Sequence, residues 1–142
     1  MTTPARKLLD REAFERAVFA RHGGRCVFCA RPAVDAHHIL ERKLFADLGY
    51  YVENGAPVCS EHHWDCETTR LSVAEVLAAC GLPSPCLPPG FSVDVTFDKW
   101  GNRMRRDGLR EPGPLFHDTG CQRALRAGGF LGLFVPVGTP EF

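Results

Sequence analysis

The sequence has no apolar run long enough to span a bilayer and no excess of either charge, since 17 Lys and Arg face 17 Asp and Glu in 142 residues. The first absence excludes a membrane helix, which needs about 20 consecutive apolar residues. The second excludes the strong overall basic field of a chain that binds nucleic acid by bulk charge alone. Internal repeats and low-complexity tracts are also missing, which removes solenoid and fibrous architectures. The opening run Met1-Thr2-Thr3-Pro4-Ala5-Arg6-Lys7 lacks the apolar core of a signal peptide, so the cytoplasm is the expected compartment. What remains is ordinary globular composition, 44% hydrophobic and 24% charged, in a length that suits one compact domain.

Cysteine is the residue in unusual supply. Seven are present, at positions 26, 29, 59, 66, 80, 86 and 121; an odd number, a reducing compartment and a spacing of two residues between Cys26 and Cys29 all favour metal over disulfides. Cys59 and His62 repeat that two-residue spacing. Three thiolates and an imidazole in two such pairs suit a tetrahedral zinc ion, and four protein ligands leave no open position, so the expected zinc is structural. Cys66, four residues beyond His62 on the same helix face, is the alternative fourth ligand and would release His62.

Turn and cap signals divide the chain. Asp10 followed by Arg11 to Ala20 reads as a capped amphipathic helix with Phe14, Ala17 and Val18 inward, stopped by Gly23-Gly24. Pro32 breaks any helix, and Ala33 to Ile39 has the length of a strand. Leu44, Phe45 and Leu48 allow a short helical turn, Asn54-Gly55 is a turn signal, and Ala56-Pro57-Val58 is a second short strand. Ser60 caps a helix running to about Arg70, and Ser72 with Glu75 is a capping box for another helix ending at Cys80-Gly81. Prolines at 83, 85, 88 and 89 forbid regular structure and mark a boundary. Beyond it, Phe91 to Phe97 alternates apolar and polar residues as a strand does.

Within the segment between Cys26 and Glu67 the sequence resembles the HNH endonuclease family in its zinc-bound ββα-metal form. The resemblance rests on Cys26-Val27-Phe28-Cys29, Asp35-Ala36-His37-His38-Ile39, Asn54 and Cys59-Ser60-Glu61-His62-His63, and covers about residues 22 to 70. The family more often has cysteine where this chain has His62. The resemblance implies that His38 is the general base, that Asn54 orients it through hydrogen bonding, and that His37 and His63 hold a catalytic divalent ion, Mg or Mn. Glu67, four residues past His63, is a further ligand or supports one. Asp35 is placed to orient a neighbouring ring. Strand geometry sends the His37 and His38 rings to opposite faces. Arg42, Lys43 and Arg70 are candidate phosphate contacts, in keeping with nucleic acid, DNA before RNA, as the implied partner.

The expected architecture is α+β: a small zinc-stabilised ββα-metal core with its N-terminal helix over residues 1–81, and a short β-containing extension over 82–142 packed on that core. In the extension, Lys99, Arg103, Arg105, Arg106 and Arg110 stand against Asp107 alone, a local basic patch whose arginines 103, 105 and 106 are further candidates for phosphate contact. Trp100 is expected in the core and His117 has no ligand-spaced partner. The apolar tail around Phe130, Leu131, Leu133, Phe134 and Val135 docks on the core or offers a surface to a second copy or protein partner. The functional expectation is therefore a metal-dependent phosphodiester hydrolase. The competing readings are an RNA-directed nuclease, a zinc-stabilised nucleic-acid-binding module without catalysis, and a zinc-knuckle protein-interaction module.

Overall fold

A computed structural model describes residues 6–141; Met1 to Ala5, part of the run read for a leader, lie outside the described residues. The chain is a small mixed α/β protein. In order it forms α1 (Arg11–Arg21), β1 (Asp35–His38), β2 (Gly55–Val58), α2 (Ser60–Glu67), α3 (Val73–Cys80), β3 (Arg103–Met104), β4 (Arg110–Glu111) and α4 (Thr119–Gly128), with short 3-10 turns at Arg42–Leu44, Val52–Asn54 and Leu131–Leu133. Each sheet has two antiparallel strands, β1 with β2 and β3 with β4. Among the described residues no helix is long and apolar enough to cross a membrane.

The helix signals are realised by their caps. Asp10 accepts a hydrogen bond from the Ala13 amide (2.8 Å), and Ser72 accepts one from the Glu75 amide (3.1 Å) while Gly81 takes the left-handed C-cap of α3. Helix α2 is shorter than its sequence suggests. Its N-cap is Cys59, not Ser60, and it stops at Glu67, with Thr69 in the left-handed region at φ 63°.

Strand β1 pairs with β2 in the register Asp35 to Val58, Ala36 to Pro57, His37 to Ala56 and His38 to Gly55. Ala56 and Val58 bury their side chains with Cys66, Val76 and Leu77, so one face of the hairpin packs on α2 and α3. The other face meets α1. There Gly55 is required for contact: a Cβ on it would lie 2.3 Å from Val18 Cγ2 and 2.8 Å from Phe14 Cζ. This explains why Asn54-Gly55 is not the hairpin turn its sequence signals. Asn54 ends a 3-10 turn and Gly55 begins β2 with extended φ of −123°, because tertiary packing against α1 sets the conformation of this pair. Arg21 ties the end of α1 to the same place, donating to the carbonyls of Val52 and Gly55.

The second half of the chain packs on the end of α2. Trp100 Nε1 donates to the Glu67 carbonyl (2.9 Å), and Gly128 sits so close to α2 that a Cβ would fall 2.5 Å from the Thr68 carbonyl oxygen. Trp100 forms a core with Cys121, Ala124 and Leu125, against which tail residues Phe130, Leu131 and Phe134 pack. The strand expected over Phe91 to Phe97 is absent. Those residues are mostly turn and irregular backbone, Val93 is 82% exposed, and pairing with β3 is confined to the last two, Thr96 accepting from the Met104 amide and Phe97 bridging to Arg103; alternation alone makes no strand where the neighbouring edge is two residues long.

Gly55→Ala is expected to destabilise the protein by about 1–3 kcal/mol, as overpacking does in a closed core. Gly132→Ala, where an added Cβ meets nothing within 4 Å, should change stability by under about 0.5 kcal/mol. Urea unfolding of both variants checks the contrast.

Candidate metal centre and cleft

Two groups of side chains converge on either side of α2. In the first, Cys26, Cys29, Cys59 and His62 bring one ligand atom each to within 4.8 Å of the others. Cys29 Sγ is 3.8 Å from Cys59 Sγ, and His62 Nδ1 is 3.5 Å from Cys26 Sγ and 3.2 Å from Cys59 Sγ. A tetrahedron with Zn–S bonds of about 2.3 Å has edges of about 3.8 Å, so the four atoms can hold a zinc ion. The knuckle is shaped by the backbone. Ala30 takes φ 61°, its amide bonds the Cys26 carbonyl at 3.0 Å, and the Cys26 amide bonds the Arg31 carbonyl at 2.7 Å. The Arg31 side chain donates to Cys29 Sγ (3.4 Å) and draws that thiol down to about 6, toward the thiolate that binds metal. Cys66 is not in the group. It lies in the core with 1% exposure, and burial pushes its thiol up to about 12.

The second group is His37, His63 and Glu67, also within 4.8 Å of one another. His37 Nδ1 lies 3.4 Å and His63 Nε2 3.3 Å from Glu67 Oε1. His37 is 1% exposed and its Nδ1, though near that oxygen, lacks hydrogen-bonding geometry and has no partner. A buried ring nitrogen without a partner is costly, and here it points at a carboxylate and a second imidazole. Those donors fit a divalent ion. His63 Nδ1 is held 3.2 Å from Asp35 Oδ2, so Asp35 orients His63 rather than His37. Burial lowers His63, but hydrogen bonding to Glu67 and the charges of Glu67 and Asp35 outweigh it and leave its pKa raised. Burial raises Glu67, yet its contacts with His37 and His63 and the Lys99 charge hold the carboxyl well below the usual range. For His37, burial dominates and takes the ring down to about 4.

His38 projects to the other face of β1, as the pleat requires. Its ring stacks on Phe14 at 4.8 Å with planes 23° apart and meets Tyr50 edge-on at 5.2 Å. Burial, with the Lys99 charge behind it, lowers its pKa to about 4, so the ring is neutral at pH 7. Nε2 is buried without a partner, which leaves Nδ1 as the nitrogen able to meet water. Asn54 does not bond this ring. Its side chain accepts from the Leu40 amide (3.0 Å) and donates to the Leu40 carbonyl (3.0 Å), fixing the backbone just past His38 instead of the imidazole. A cleft of about 330 Å³ lies along β1 on the edge away from β2 and is bordered by Phe14, His38, Arg42, His63, Glu67 and Lys99.

The basic residues fall into two kinds. Arg42 is exposed on the cleft. Lys43 pairs with Asp118 at 2.9 Å, and Arg70 with Asp65 at 3.8 Å and the Ala127 carbonyl at 3.1 Å. The expected patch from Lys99 to Arg110 is largely internal. The Arg105 side chain is 0% exposed, bound to Asp107 and to the carbonyls of Thr139 and Pro140; Arg110 is buried against Asp98 and Thr69; and Arg103 pairs with Glu111 and Glu141. Arg106 remains exposed. Local sequence shows Asp107 as the sole opposing acid, whereas the fold delivers Asp98, Glu111 and Glu141. Lys99 is the residue whose place the spacing could not reveal. Its ammonium is buried between Glu41 and Glu67, next to the second group, and no local motif signals a partner 32 residues away. His117 lies outside both groups.

Purified protein is expected to carry one tightly held zinc, and Cys26→Ser to lose it together with several degrees of Tm, because ligand binding and folding are coupled in small domains. Elemental analysis beside thermal unfolding checks this; unchanged zinc and Tm would remove Cys26 from the site. No protein-family model, no curated protein and no solved structure matches the chain.

Proposed function

We propose that the chain is a metal-dependent endonuclease of the HNH type, acting on DNA, with a structural zinc in the Cys26, Cys29, Cys59 and His62 group and Mg or Mn at His37, His63 and Glu67. The observation that carries this reading is the convergence of His37 Nδ1, His63 Nε2 and Glu67 Oε1 on one side of β1, with His38 on the other side of the same cleft. A hairpin followed by a helix, with a zinc-type group where strand passes into helix, is the arrangement that the sequence resemblance implies.

The residues divide the chemistry. His37, His63 and Glu67 would hold a divalent ion, which when bound would supply positive charge for the scissile phosphate and the leaving 3′ oxygen. His38 accepts a proton from water at Nδ1; a neutral imidazole at physiological pH is competent to do so. Phe14 holds the ring by stacking and Tyr50 by an edge-on contact, and Asn54 holds the strand end that carries it. Asp35 orients His63 and so directs its Nε2 toward Glu67. Arg42, free on the cleft rim, contacts a phosphate next to the scissile one.

Plasmid incubated with the zinc-loaded protein should be nicked with Mg or Mn and left intact with EDTA. His38→Ala should retain fold and zinc while losing nearly all cleavage. Cleavage by His38→Ala at the native rate would move the base elsewhere, and DNA binding without cleavage under any metal would favour a binding module. A second contrast separates binding from folding. Arg42→Ala should weaken DNA binding and reduce the salt slope by about one. Arg105→Ala should instead cost about 1–3 kcal/mol of stability, because it removes a buried guanidinium that ties down the Thr139 and Pro140 carbonyls; fluorescence anisotropy over a salt series and urea unfolding measure the two effects.

A further inference from the structure

The two oxygens of Glu67 are used differently. Oε1 faces His37 and His63 at 3.4 and 3.3 Å, whereas Oε2 accepts from Lys99 Nζ at 3.1 Å. Lys99 also donates to Glu41, lies over the Trp100 ring at 4.0 Å from its centroid, and has a side chain only 4% exposed. Its backbone is locked as well. The Lys99 carbonyl accepts from the Glu41 amide (2.9 Å), and Trp100 Nε1 bonds the Glu67 carbonyl (2.9 Å). The ammonium thus has little freedom to release either carboxylate.

Building on the metal site proposed above, we infer that Lys99 is a positioning residue that sets which divalent ion the site takes. It holds Glu67 to one available oxygen and keeps Glu41 out of reach as a ligand. A site with two imidazoles and a single carboxylate oxygen suits a small divalent transition ion that completes its shell with water, as Mn does. Calcium needs six to eight oxygens and takes carboxylates by both oxygens. Lys99 denies it those oxygens. Its positive charge also lowers affinity for every divalent ion, so its effect on selectivity must be read from a ratio and not from one affinity.

The test is titration of zinc-loaded protein with Mn²⁺ and Ca²⁺ by calorimetry, with zinc content measured in parallel. In wild type, Mn²⁺ binds at one site beyond the zinc, Ca²⁺ binds at least tenfold more weakly, and His63→Ala abolishes both. In Lys99→Met the Ca²⁺ to Mn²⁺ affinity ratio rises at least tenfold, and Lys99→Arg returns it toward wild type. Because Lys99→Met leaves Glu41 and the Oε2 of Glu67 without their cation, the double variant Lys99→Met with Glu41→Met is made beside it. It replaces the pair by apolar groups of similar size, which folds tolerate, and keeps the net charge. There a rise in the ratio reports the freed Glu67 oxygen alone. An unchanged ratio in the folded, zinc-loaded double variant overturns the role of Lys99 while the metal site stands. Absence of any second ion in wild type, or binding indifferent to His63→Ala, overturns the metal site and the inference with it.

Discussion

Cys59 closes β2, caps α2 and contributes a sulfur to the four-membered group, so one residue fixes where the strand stops, where the helix begins and how the helix is rotated. Rotation is the critical quantity. Successive helix residues turn by about 100°, and His62 and His63 are neighbours, so aiming the first ring at Cys26 and Cys59 aims the second away from them, toward β1. Glu67 follows one turn later on the same face as His63. A change in the pose of α2 would therefore move both groups together. The far end of the helix is held too, by Trp100 on the Glu67 carbonyl and Lys99 on the Glu67 carboxylate. Eight residues of helix are too few to be stable alone, and these contacts at both ends replace the stability that length would give.

The hairpin contributes the complementary constraint. With four residues in each strand, it has little ladder of its own, and it is kept in register by α1 on one face and by α2 and α3 on the other. The pleat of β1 then separates tasks: Asp35 and His37 look toward α2, and His38 toward Phe14 of α1. Because, among the described residues, no strand pairs with the outer edge of β1, both faces open onto a single cleft. The Gly55 position without a Cβ lets α1 approach closely enough for Phe14 to stack on His38.

Features written in adjacent residues were legible in the sequence. The caps at Asp10 and Ser72, the left-handed stop at Gly81, the Cys and His pairs and the opposed rings of His37 and His38 depend on local spacing, and the fold places them as that spacing implies. Features decided by distant partners were not. Phe91 to Phe97 alternates as a strand does yet meets the two-residue edge of β3 only at Thr96 and Phe97, and Asn54-Gly55 has the composition of a hairpin turn yet is held extended by Val18 and Phe14. The choice between His62 and Cys66 was likewise open, because both lie within reach on a helix model; it was settled by the hydrophobic core formed with Val76 and Leu77, which draws Cys66 inward.

The arginines and lysine after the proline-rich segment show the same limit with a functional consequence. A run of basic residues in sequence suggests a surface for phosphate, although the balanced total charge already speaks against binding by bulk charge. Burial reverses the reading for Lys99, Arg105 and Arg110, since a buried cation is tolerated only with an opposing charge and full hydrogen bonding. Once paired, such a cation cannot attract phosphate at a distance; it acts on the carboxylate it touches. For Arg105 and Arg110 that action holds the second sheet and the loop from Asp98 to Asn102 in place. For Lys99 it reaches Glu67, so the basic segment acts on the candidate site from inside the fold and not as a surface beside it.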